Sequence, residues 1–197
     1  MPQLGYPVVT GMLMCSVLLS GAAQEMQPPA AQFAIPAQYS ATALGQAGSA
    51  AGRNFTMNVY VRELSSNAEI DELAGTLKSK GPEGLMKAMN NMKEKGRVTP
   101  TGSVGTAMAV VRIQPTKNGG QHILLMTNRP IALAEMINST RSRNYPFSIV
   151  VLNIDKDGKG SGFFAPACTI RFDKKDDVEI EHYGQKPFRM ANVFRQK

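Results

Sequence analysis

Between Phe55 and Arg62 the side chains alternate: Phe55, Met57, Val59 and Val61 are apolar, and Thr56, Asn58, Tyr60 and Arg62 lie between them. A period of two places the two sets on opposite faces of an extended chain, so this segment is expected as a strand with one buried face. No other feature constrains the fold as much, because a half-buried strand must find neighbours to cover it. Further strands are expected near 104–114, 121–127, 147–154, 161–172, 178–183 and 188–195. Asn118-Gly119-Gly120 joins two of them, and Asp157-Gly158 marks a tight hairpin.

Helical signals interrupt this pattern in two places. Ser66-Asn67-Ala68-Glu69 matches a capping box, followed at helical spacing by Ile70, Leu73, Ala74 and Leu77. Gly81 is expected to stop that helix and Pro82 to start a second, in which Leu85, Met86, Met89 and Met92 share a face before Gly96. A short crossover helix is expected near 130–140, with Pro130 first and Ile131, Ala134 and Ile137 facing inward. The sum is an α+β fold: a mostly antiparallel sheet of about seven strands, an inserted αα-hairpin and one short crossover helix, in a single domain over 53–197.

The N-terminus has a different character. Residues 1–23 carry no charged side chain, and Val8 to Ser20 form an apolar block of signal-peptide length. Gly21-Ala22-Ala23 supplies the small residues of a cleavage site, so export to the periplasm or beyond is expected, with cleavage near Ala23. The lack of Lys and Arg ahead of the block leaves an uncleaved anchor as the alternative. Residues 24–52, rich in Ala, Gln, Pro and Gly, read as a flexible spacer, and the mature chain contains no expected transmembrane span. Cleavage removes Cys15 and leaves Cys168 alone, so an internal disulfide is excluded. Cys168 alternates with Ile170 and Phe172 and is expected in the core.

Lys and Arg number 22 against 15 Asp and Glu, a formal charge of +7. Basic residues crowd the helical region (Lys78, Lys80, Lys87, Lys93, Lys95 and Arg97), and others follow at Arg141, Arg143, Lys186, Arg189, Arg195 and Lys197. Such a spread of charge reads first as a solubilising surface, with an acidic envelope polymer or a membrane surface as the partner it would otherwise suit. Nucleic acid is not an expected partner, since neither interleaved exposed aromatics nor a recognition helix accompanies the charges.

The one metal-like motif is Asn153-Ile154-Asp155-Lys156-Asp157-Gly158, in which Asn153, Asp155 and Asp157 match the first three ligand positions of a calcium loop. Phe164 stands where the closing Glu belongs, and the flanks read as strands, so a hairpin turn is the expected role. Asp173, Asp176, Asp177, Glu179 and Glu181 form an acidic cluster expected on a solvated face. His122 and His182 are the only imidazoles available to a catalytic site. No Walker, dinucleotide-binding or G-x-S-x-G motif occurs.

Thr127-Asn128-Arg129-Pro130-Ile131, Ser142-Arg143, Tyr145, the strand from Ile149 to Asn153, Pro166-Ala167-Cys168 and Pro187-Phe188-Arg189-Met190-Ala191-Asn192-Val193 resemble a family of small exported bacterial proteins of unknown function. The resemblance covers about 54–193 and implies export and a single domain, but no catalytic residue or ligand. The expected function is a non-enzymatic binding or envelope-associated structural module. The alternative is a small-ligand carrier or enzyme with its site between the αα-hairpin and the sheet.

Overall fold

The computed structural model describes residues 34–129, 131, 144–173, 178–182 and 186–196. The expected signal peptide (1–23), the crossover helix near 130–140 apart from Ile131, and Arg141, Arg143, Asp176, Asp177 and Lys197 lie outside the described residues. The elements in chain order are β1 (Ala37–Leu44), β2 (Asn54–Val61), α1 (Asn67–Met89), β3 (Gly96–Pro100), β4 (Thr106–Met108) and β5 (Val110–Pro115). They continue with β6 (Gln121–Thr127), β7 (Phe147–Ile154), β8 (Lys159–Phe172), β9 (Val178–His182) and β10 (Phe188–Arg195).

The strands form one antiparallel sheet in the order β4-β3-β2-β1-β10-β8-β7-β6-β5, with β9 added to the far half of β8. Its two ends, β4 and β5, are separated in sequence only by Ala109. β4 pairs with β3, β5 pairs with β6, and the Ala109 amide donates to the Met126 carbonyl at 3.0 Å. One bent stretch of chain therefore joins both ends of the order and rolls the sheet into a near-barrel, which removes most of its free edge.

The alternation seen in the sequence sets the interior. Met57, Val59 and Val61 of β2, Ile123 and Leu125 of β6, Val150 and Leu152 of β7, and Phe164 and Phe188 are buried in one cluster. The rings of Phe164 and Phe188 stack at 5.8 Å, and Phe55 meets Phe188 edge-on at 5.4 Å. Inward residues are apolar, while Asn58, Tyr60 and Thr56 point outward. Membrane-spanning barrels show the reverse alternation. Among the described residues no helix is long and apolar enough to cross a membrane.

A second core lies outside the barrel. Ile70, Leu73, Leu77, Leu85 and Met89 of α1 pack with Val110, Ile149, Ala165, Cys168 and Ile170. This explains why β7 reads as the nearly unbroken apolar run FSIVVLNI: its even residues fill the barrel and its odd ones meet the helix layer. Cys168 is fully buried there.

Three sequence expectations are overturned. Among the described residues the fold is mostly antiparallel sheet with ten strands rather than about seven, and one kinked α-helix stands where the αα-hairpin was expected. Gly81 takes φ 66° and breaks the helical path, but Pro82 resumes it at once. A hairpin needs a loop of roughly two to five residues, and a one-residue break leaves only a kink. Finally, the stretch 24–52 expected as a spacer contains β1, a central strand of the barrel. The capping box holds as read: Ser66 Oγ accepts from the Glu69 amide at 3.2 Å, and a Glu69 carboxylate oxygen accepts from the Ser66 amide at 2.8 Å.

Candidate functional site

At the barrel end where β1 begins and β10 finishes, four separate stretches of chain enclose an open groove of about 770 Å3. Gln38 and Tyr60 face each other across β1 and β2, and the Gln38 amide donates to the Tyr60 hydroxyl at 3.3 Å. Backbone bonds fix the other wall: the Arg195 amide donates to the Gly158 carbonyl at 2.9 Å, and the Gln196 amide to the Gln38 carbonyl at 2.8 Å. Arg62, Lys156, Asp157 and Arg195 also line the groove.

The turn that presents Lys156 is built by its neighbours. Asp155 Oδ1 accepts from the amides of Asp157 and Lys159, both at 2.9 Å, and Gly158 takes φ 77°, where a side chain would be strained. The charges are unequally satisfied. Arg62 donates to Glu94 at 2.9 Å, which also binds Arg97. The Arg195 guanidinium donates to the Ala34 carbonyl at 2.6 Å. Lys156 and Arg195 form no ion pair among the described residues, nor does Lys117 in the adjoining turn, whose Gly119 approaches Lys156. With Arg62 paired to Glu94, Lys156 and Arg195 against the single lining carboxylate of Asp157 give this concavity a positive bias, with an aromatic ring and an amide beside it.

Of the residues singled out from sequence, Asp157 and Arg195 line this groove and the others fall elsewhere. Asn153 Oδ1 is bonded to His122 Nδ1 at 2.6 Å across β6 and β7, away from the Asp155 turn oxygens. Asp155 is committed to the turn. Among the described residues, no three His, Cys, Asp or Glu side chains gather closely enough to hold a metal ion. His182 stands opposite Cys168 on β8, its Nδ1 buried without a partner and its basicity lowered by burial. No carboxylate lies within hydrogen-bonding distance of either imidazole among the described residues.

Glu179 and Glu181 both pair with Arg171, the former at 3.4 Å, and Tyr145 donates to Glu181 at 2.9 Å. The basic crowd near α1 is partly neutralised. Lys95 is buried, with Nζ 3.0 Å from Glu69 and 3.5 Å from Glu63, and Arg97 is held by Glu94. The hydrogen bond from Ser66 and the Lys95 ammonium hold the Glu69 carboxyl below the usual carboxylate range. Ser148 ties three stretches together: its Oγ accepts from the Ile131 amide at 2.9 Å and donates to the Pro166 carbonyl at 2.7 Å. Asn128 donates to the Met86 carbonyl at 3.1 Å, near the end of α1.

The groove was not legible in the sequence because its residues come from widely separated segments, and Lys156 sits inside the motif read for calcium. No family model, curated protein or solved structure matches the chain.

Proposed function

We propose that this protein is an exported, non-catalytic binding module of the bacterial envelope, which engages an acidic polymer through the groove at the barrel end. The observation that carries the reading is the convergence of Arg62, Lys156 and Arg195 around Tyr60 and Gln38 in a concavity of about 770 Å3. Such a site suits a chain of anionic sugars: cations meet the carboxylates, the ring offers a flat apolar face, and the amide reads hydroxyls. The expected signal peptide and the family resemblance support export. The barrel interior is filled by side chains, so the accessible chemistry lies on its rim.

The test is titration calorimetry with polygalacturonate, using neutral dextran as control. Binding should appear for the acidic polymer alone and weaken steeply with added salt. Lys156→Gln, on an exposed turn, should reduce affinity by about two- to fivefold, the scale of one exposed ion pair. Equal binding of both polymers, or affinity indifferent to salt and to Lys156→Gln, would refute the reading.

A further inference from the structure

An irregularity in β10 decides what the outer wall of the barrel presents. Phe188 and Met190 are buried in the barrel, so plain alternation would turn Phe194 inward as well. Instead Ala191 and Asn192 together take the place of one residue between the pairs Met190–Gly162 and Val193–Gly160. The pairing with β1 slips at the same point, between Thr42 and Ser40. Asn192 absorbs the extra residue at φ 50°, a left-handed conformation uncommon for any residue but glycine. The phase of the strand is thereby reversed. Val193 is buried, and Phe194 stands on the outer face, 48 % exposed, the one exposed phenylalanine among the described residues. Backbone strain of this kind persists where the surroundings over-determine it, and it clusters at binding positions.

The surroundings of Phe194 continue the barrel-end groove. Its neighbour Arg195 lines that groove, and Phe194 itself stands opposite Ser40 of β1 on one side and Lys159 of β8 on the other. Ser40 shares a face with Gln38, which stands opposite Tyr60 of β2. Tyr60 and Phe194 therefore flank β1 on the same outer face, two strand spacings apart and offset by two residues. With ~4.8 Å between strands and ~3.4 Å per residue, the two positions lie roughly 12 Å apart. Lys159 is exposed and forms no ion pair among the described residues. A ring with free cations beside it thus occurs twice: Tyr60 with Lys156 and Arg195 in the groove, and Phe194 with Lys159 on the wall.

We propose that Phe194 and Lys159 form a second subsite that extends the groove across β1, so that the ligand is an anionic polysaccharide held over both rings rather than a single acidic sugar. The inference rests on the reading of the groove as the polymer site. The apolar face of one sugar unit lies on the Phe194 ring, and a nearby carboxylate meets the Lys159 ammonium. A small anion fills the groove alone and gains nothing from Phe194. A polymer of charge without apolar ring faces, such as polyphosphate, uses Lys159 but not Phe194.

The test is calorimetry on the whole protein with digalacturonate, too short to reach both rings, hexagalacturonate, which spans them, and polyphosphate. Phe194→Ala should weaken hexagalacturonate binding about three- to tenfold, the scale of one aromatic contact, and leave digalacturonate and polyphosphate unchanged. Those unchanged ligands also show that the variant is folded. Phe194→Tyr, which keeps the ring, should restore the loss. Lys159→Gln should weaken hexagalacturonate about two- to fivefold, the scale of an exposed ion pair. In the unmutated protein, nuclear Overhauser contacts should join the Phe194 ring to sugar ring protons. Hexagalacturonate binding that falls with Lys156→Gln but is indifferent to Phe194→Ala, equal losses for all three ligands in Phe194→Ala, or no contacts to the Phe194 ring would overturn the second subsite and leave the groove reading standing. Binding indifferent to Lys156→Gln and Phe194→Ala alike would remove both.

Discussion

Changing Glu63→Gln together with Glu69→Gln strips Lys95 of both its counter-ions. The Lys95 side chain is only 5 % exposed, and its ammonium lies 3.0 Å from Glu69 and 3.5 Å from Glu63. The ammonium would be left in a poorly hydrated site facing two neutral amides. A buried charge stripped of its partner costs about 3–5 kcal/mol. The capping box should survive, because a Gln oxygen can still accept from the Ser66 amide.

The reverse change behaves differently. Lys95→Met removes the buried charge and leaves carboxylates that are 63 % and 38 % exposed, free to rehydrate. Its cost should be about 1 kcal/mol or less, the worth of exposed pairs. Adding Lys95→Met to the double Gln variant should therefore recover most of the lost stability. Urea unfolding at neutral pH measures all three, with the slope of the transition unchanged. If the double Gln variant stays within about 1 kcal/mol of the parent while Lys95→Met costs about 3 kcal/mol, the reasoning from buried charge fails.

Other expectations concern the sheet, the turn and pH. A Cβ at Gly162 would lie 2.0 Å from the Val151 carbonyl oxygen, so Gly162→Ala must push β8 from β7. It should cost about 1–3 kcal/mol in thermal or urea unfolding. Asp155→Ala removes the acceptor for two turn amides and should destabilise by about 1 kcal/mol, whether or not calcium is present. A loss of stability confined to calcium-containing buffer would instead assign the loop to metal binding.

Burial lowers the pKa of His182 in the folded state, whereas the unfolded chain takes up a proton near 6.5. Its neutral form therefore contributes stability above pH 6.5 that is lost as pH falls toward the folded value. His182→Gln should flatten this acid-side decline in urea midpoints. Glu69, its pKa lowered chiefly by the Ser66 hydrogen bond, adds a similar loss at lower pH, as the medium falls through its folded value.

The sequence reveals elements whose burial is one-sided and whose residues are bulky. β2 alternates cleanly, and Ser66-Asn67-Ala68-Glu69 marks the start of α1 through local hydrogen bonding. β1 escaped because its inward positions are Ala37, Tyr39, Ala41 and Ala43. Alanine carries too little hydrophobic contrast against Ser and Thr to show a period of two, and it fits where barrel walls approach closely. β3 was hidden because Gly96 looked like the end of a helix, although its backbone completes the pairing of Val61. The bend at Ala109 is a tertiary event: nothing local distinguishes one strand of 104–114 from two that pair on opposite sides. The basic residues were visible, but only folding separates neutralised Lys95 and Arg97 from unpaired Lys156 and Arg195. The exposure of Phe194 was hidden too, since alternation from Phe188 points it inward until the bulge at Asn192 reverses the phase.

The central claim is that the barrel-end groove is the surface that meets an anionic polymer. Amide chemical-shift mapping with oligogalacturonate tests this most directly. Shifts are expected to concentrate at Gln38, Tyr60, Arg62, Lys156 to Gly158, Arg195 and Gln196, fading as salt is raised. Shifts concentrated instead at Lys80, Lys87 and Lys93 around α1, with the groove amides unmoved, would contradict it.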